Sequence, residues 1–296
     1  MFLPAALAAL SLISAKPAPT FEITDGDRIV WIGNTLVERE QRYGYWETAL
    51  HAAFPDKQFT LRNLGWSGDT VFGDARGRFD FNNPDFCFKQ LVNLTLELKP
   101  TVIFVSYGTN ESFEGEAGLP KFEKGLEKLL DALTPAKARV VLFTPMEFIE
   151  KKLVVNQPEP RNKLIQLYAK SIQNIAMHRG HSLAYMSVPL LFKVDEPISD
   201  NGMHLNEHGY NEFTFLFTRA LGLKSENIKS HQLDSLRQAI IAKNQLFFYR
   251  WRPQNETYLF GFRKHEQGKN AVEVAEFDPL VAKAEEEIER IRKTLK

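Results

Sequence analysis

Sulfur chemistry is almost missing from this chain: its 296 residues contain one cysteine, Cys87. That excludes an intrachain disulfide and any paired-cysteine metal or redox motif, and leaves Cys87 to be read as a buried thiol. Net charge is missing too, since Lys+Arg and Asp+Glu are both 37. A nucleic-acid partner would require a basic face and is not expected. Long apolar runs are confined to the start, where Phe2 to Ile13 is followed by Ser14-Ala15-Lys16-Pro17. Residues 1–20 have the length of a secretory signal segment and are too short for a transmembrane span, although no Lys or Arg precedes the apolar run. The expectation is an exported protein with no span.

What is present is an alternation of strands and helices. Strands are expected at Arg28–Ile32, Gln58–Leu64, Thr101–Val105, Arg139–Phe143 and Leu183–Met186. Between and after them, helical spacing covers Val37–Phe54, Phe88–Leu98, Leu119–Leu133, Asn162–His178 and Asn206–Leu221. The pattern predicts an α/β domain over 21–225, a flavodoxin-like three-layer sandwich with a five-stranded parallel sheet, its ligands at the C-terminal strand ends. Residues 226–296 change character and read as a C-terminal helical arm. It comprises a helix over Ser230–Trp251 and a charged one over Val281–Leu295, with Val281, Ala284, Ile288 and Ile291 near heptad spacing. That stripe suits an element packed on the domain or on a second copy, so an oligomer through the arm is a further expectation.

Four short motifs follow the strand ends or precede the last α/β helix: Gly33-Asn34-Thr35, Gly65-Trp66-Ser67-Gly68-Asp69-Thr70, Gly108-Thr109-Asn110-Glu111 and Asn201-Gly202-Met203-His204. Together they hold the parts of an acyl-transfer site. Thr35 offers a hydroxyl at a helix N-terminus, where partial positive charge favours a developing alkoxide. Asn34 and Thr35 are equally good helix caps. Gly68 in a tight turn offers a backbone donor, Asn110 a neutral side-chain donor, and Trp66 a wall for an apolar acyl group. Glu111 reads as solvent-facing or ion-paired. His204 is the candidate base; His51, His178, His181, His208, His231 and His265 carry no motif and read as surface residues. No His/Asp/Glu spacing indicates a metal, and no cofactor is expected.

The ordered set resembles the SGNH, or GDSL-type, hydrolase superfamily across about residues 28–221. Members carry Gly-Asp-Ser, a Gly, Gly-x-Asn-Asp and Asp-x-x-His in that order. The resemblance implies a metal-free Ser-His-Asp hydrolase of carboxylic esters, often acylated sugars or lipids. Here Asn34 stands for Asp, Thr35 for the nucleophilic Ser, Glu111 for Asp, and Asn201 for the carboxylate that orients His204. Asp200, one residue earlier, is the nearest carboxylate. Two functions follow: hydrolysis of an ester, such as an acylated carbohydrate, by Thr35 and His204; or a catalytically silent module that binds a glycan or protein partner in the same cleft.

Overall fold

The computed structural model describes residues 21–80, 82–149, 158–187, 196–223, 233–266 and 270–295. The leader-like segment 1–20 and His231 lie outside them. Strands β1 (Asp27–Gly33), β2 (Phe59–Asn63), β3 (Val102–Ser106), β4 (Arg139–Phe143) and β5 (Ser182–Ala184) form one parallel sheet in the order β2-β1-β3-β4-β5. Alternate residues of the strands enter two cores. Ile29, Trp31, Phe104 and Phe143 face one side, with Val30, Ile32, Ile103 and Val105 facing the other. Both faces are buried, which is why β1 and β3 read as continuous apolar runs.

On the first face lie α1 (Thr35–Tyr43), α2 (Tyr45–Ala53), α6 (Glu207–Glu212) and α7 (Thr214–Ala220). An aromatic stack fills the space, with Trp31 and Trp46 each stacked on Phe217 at 5.6 and 5.1 Å between centroids. On the second face lie α3 (Pro84–Glu97), α4 (Gly115–Leu133) and α5 (Pro158–Arg179).

The helix expected over Val37–Phe54 is two helices. Gly44 takes φ +67°, its amide closes α1 onto the Glu40 carbonyl, and the buried Glu40 carboxyl then accepts the amides of Trp46 and Glu47 at 2.7 and 3.2 Å. A glycine that ends one helix and a carboxyl that caps the next split a stretch whose apolar period is continuous. Likewise Asn206–Leu221 breaks at Phe213 into α6 and α7, and α3 starts four residues early because Asn83 caps it and Pro84 fills its first turn.

The arm consists of α8 (Leu233–Trp251), the short α9 (Glu256–Leu259) and α10 (Asn270–Glu273), and α11 (Phe277–Lys293). Helices α8 and α11 run antiparallel: Leu236 and Ile240 meet Ile288, while Arg250 pairs with Asp278 at the other end. Val281 and Ile288, two of the near-heptad residues, are thus buried within their own chain. The pair covers the β2 edge. Buried Lys243 reaches the Leu61 carbonyl at 2.6 Å and the Glu47 carboxylate at 2.7 Å, and Arg62 pairs with Glu285. Breaking such a buried ion pair typically costs about 3–5 kcal/mol, so α8 is fastened to the domain. His51 belongs to this network and corrects the reading of it as a surface residue. It is 3 % exposed, lies flat on Phe59 at 4.2 Å, and burial holds its pKa below the ordinary histidine value.

Candidate active site

In a parallel sheet of this order the sequence of strand addition reverses between β1 and β3, and ligands collect beyond the strand ends at that point. Thr35 follows β1 and Asn110 follows β3, whose last residues Gly33 and Ser106 are register partners. Asn34 is the N-cap of α1, its Oδ1 accepting the Leu36 amide at 3.2 Å, which puts Thr35 at the first helical position. The Thr35 hydroxyl accepts a hydrogen bond from the Gly68 amide at 3.3 Å. Gly68 has φ +80°, a conformation strained for any side chain, and that backbone turn aims the amide. Thr35, Thr109, Asn110, Met203 and His204 line one cleft, with Leu36, Met146, Phe148, Ile149 and Leu205 as its apolar wall.

The second loop stands close because Gly65 has no side chain; a Cβ there would lie 2.3 Å from the Glu38 amide of α1. Each neighbour of Gly68 is anchored. Ser67 gives its amide and hydroxyl to the buried Glu38 carboxylate at 2.7 and 3.0 Å. Asp69, fully buried, accepts from Arg76 at 2.7 Å and from the Tyr107 hydroxyl at 2.9 Å. Its carbonyl accepts the Asn110 side-chain amide at 2.7 Å, leaving that NH2 one further hydrogen to donate.

Glu111 corrects the expectation of a solvent-facing or ion-paired side chain. It is buried and accepts the amides of Val71 and Gly108 at 2.9 and 2.8 Å, tying the second loop to the third; burial pushes its pKa up to about 7. Trp66 departs from its expected role as well. Its ring is not among the cleft residues but lies under the Arg252 guanidinium, 3.9 Å from ring centroid to Cζ, and edge-on to Trp251 at 5.6 Å. The apolar wall comes instead from the segment after β4, with Leu36 and Leu205.

His204 sits in a loop closed by an antiparallel bridge between Ser199 and Leu205, in which the Asp200 amide donates to the His204 carbonyl. Asn201 Oδ1 accepts the amides of Met203 and His204 at 3.1 and 2.9 Å. With its oxygen so committed, Asn201 turns its NH2 toward His204 Nδ1 at 3.3 Å. Asp200, the alternative orienting group, is drawn off by Arg39 of α1, which pairs with its carboxylate and donates to the Leu205 carbonyl. Burial and the Arg39 charge lower the His204 pKa, against a smaller opposing effect of Asp200.

The family model of the GDSL-like lipases and acylhydrolases matches residues 23–211, spanning all four motifs. The chain belongs to this family. Among solved structures, a catalytic variant of an acetylxylan esterase from Geobacillus stearothermophilus aligns with a TM-score of 0.52 at 18% identity, covering 69% of this chain and 98% of its own. The acetylxylan esterase AlAXEase aligns at 0.50 and 18%, covering 65% and 98%. A gut microbial diltiazem-metabolizing enzyme aligns at 0.58 and 12% but covers 94% of this chain and 98% of its own, the arm included. At these identities the likeness is one of fold. No curated protein sequence matches.

In the motif resemblance read from the sequence, Thr35 stands at the expected position of the nucleophilic Ser and Asn201 at that of the carboxylate. The residues that brace these positions carry little signal in the sequence. Glu38 and Arg39 lie one turn along α1 from Thr35, a spacing that brings side chains to one helix face and was the available signal. Arg252 had none, because it reaches Glu38 across 214 residues of chain, whereas Arg76 lies only seven residues beyond Asp69.

Proposed function

We propose that the cleft hydrolyses carboxylic esters of an acylated carbohydrate or a similar alcohol. Thr35 is the nucleophile, His204 the proton carrier, and the Gly68 amide and Asn110 side chain the oxyanion donors. The observation that carries this reading is the Gly68 amide aimed at the Thr35 hydroxyl inside a cleft that His204 also lines. Attack of the hydroxyl on the acyl carbonyl passes its proton to a ring nitrogen and releases the alcohol, to which that proton is delivered; water then frees the acid and restores Thr35. Donors placed before the charge appears stabilise it without reorganisation. The apolar wall suits the acyl group, and the acetylxylan esterases with this fold support an acylated glycan as the substrate class. Export, suggested by residues 1–20, would bring the protein to such a substrate.

One observation favours the silent-module reading. The Asn201 NH2 faces Nδ1 and so favours the tautomer with its proton on Nε2, whereas a base for Thr35 needs Nε2 free if Nδ1 faces Asn201. Only the fraction of rings carrying the other tautomer is competent, which predicts slow turnover. Fluorophosphonate labelling with peptide mapping, beside hydrolysis of a short-chain ester, separates the readings. A label on Thr35 and turnover lost in His204→Ala support the hydrolase. No label and no turnover above the His204→Ala background support the binding module.

A further inference from the structure

We propose that Arg252, supplied by the C-terminal arm, is a positioning residue for the Gly68 oxyanion donor. The arm would then complete the active site as well as cover the β2 edge. Arg252 follows directly on α8, its amide still bonded to the Phe248 carbonyl. Its Nη1 donates to Glu38 Oε2 at 2.5 Å, and its guanidinium lies over Trp66 at 3.9 Å. The same Oε2 accepts the Ser67 amide, and Oε1 accepts the Ser67 hydroxyl. Trp66 and Ser67 are the two residues before Gly68, and both are held by this one side chain, by stacking and through Glu38.

Glu38 is 7 % exposed and pairs with the Arg252 guanidinium, so removing that partner would leave a buried carboxylate without its ion pair. Stacking and a charge-assisted hydrogen bond together demand a planar guanidinium, which an ammonium does not reproduce. Trp251, beside Arg252, meets Trp66 edge-on, and Arg76 lies 5.5 Å from Trp66 and 5.8 Å from Trp251. The loop tip itself makes no such contacts: nothing lies within 4 Å of where a Gly68 Cβ would stand. Gly68 is therefore aimed by its flanks.

The kinetic half of the test rests on the ester-hydrolase reading; the other half does not. In the full chain, Arg252→Gln and the milder Arg252→Lys are compared with the parent by amide hydrogen exchange over residues 64–72 and by short-chain ester kinetics. Arg250→Gln, which breaks only the exposed pair with Asp278, is the control. Exchange in 64–72 is expected to rise tenfold or more in Arg252→Gln, less in Arg252→Lys, and not in Arg250→Gln. Turnover should fall about 10- to 100-fold with KM little changed, as for a misplaced catalytic group. Unchanged loop exchange overturns the proposal, as does a rise spread equally through α8 and α11, which would make Arg252 a general fastening of the arm. A parent without turnover whose Arg252→Gln variant still loosens the loop overturns the hydrolase reading and leaves the positioning role standing.

Discussion

Asn201 presents its side-chain NH2 to His204 Nδ1 at 3.3 Å while its oxygen is held by two backbone amides. A carboxylate at that position would keep both backbone bonds and present a second oxygen to Nδ1–H. The structure thus isolates the consequence of a single atom exchange, nitrogen for oxygen, in an otherwise intact loop.

Asn201→Asp is therefore expected to raise ester hydrolysis. In serine proteases the reverse exchange lowers kcat about 10⁴-fold through the wrong tautomer, so a gain of about 10²-fold or more is expected here. Steady-state kinetics on a short-chain ester check it. An unchanged rate would show that tautomer selection does not limit this site.

Thr35→Ser should raise whatever hydrolysis exists about 2- to 10-fold, since removing the Cβ methyl opens χ1 rotamers that β-branching disfavours by about 0.5–1.5 kcal/mol. Thr35→Ala should reduce the rate to that of His204→Ala. Equal, measurable rates for the parent and both Thr35 variants would remove Thr35 from the mechanism.

The pH profile follows from the direction of the His204 shift. A base is competent above its pKa, and burial with the Arg39 charge lowers that of His204, so the acid limb of kcat/KM should lie below the ordinary histidine value of 6.5. Arg39→Ala removes one lowering cause and releases Asp200 from its ion pair, so the limb should move to higher pH. An NMR titration of the His204 ring reads the same shift without turnover.

Glu40 supplies a prediction about stability. Burial and the nearby Glu47 push its carboxyl up to about 8 from an ordinary 4.5. A group that binds its proton more tightly when folded stabilises fully below about pH 4.5, and this contribution is lost as pH rises to about 8. His51, depressed by burial, opposes it, gaining stability as pH rises through its ordinary 6.5. Glu40→Gln keeps an acceptor for the Trp46 and Glu47 amides and removes the titration. Its melting temperature should decline less than the parent's between pH 5 and 8. Identical slopes would mean Glu40 is ionised throughout.

The sequence by itself determined the layer architecture, because strand-length apolar runs alternating with amphipathic helices have few ways to bury both periodicities. It also placed Thr35, Gly68, Asn110 and His204 at strand ends or before the last α/β helix, since those motifs consist of turn and cap residues whose local preferences agree with the fold. Helix breaks were less legible: the split at Gly44 depends on Glu40 folding back onto the next helix, and the apolar period runs through it unbroken. Whether Asp200 or Asn201 faces the His204 ring was decided only in three dimensions. Arg39, 161 residues away in the chain from Asp200, takes that carboxylate, and the bridge at Ser199 and Leu205 fixes the rest of the loop. The surroundings of Trp66 were likewise decided by long-range contacts. The arm that claims its ring begins far downstream, and burying two aromatic side chains with a guanidinium outweighed any preference a single loop can express on its own.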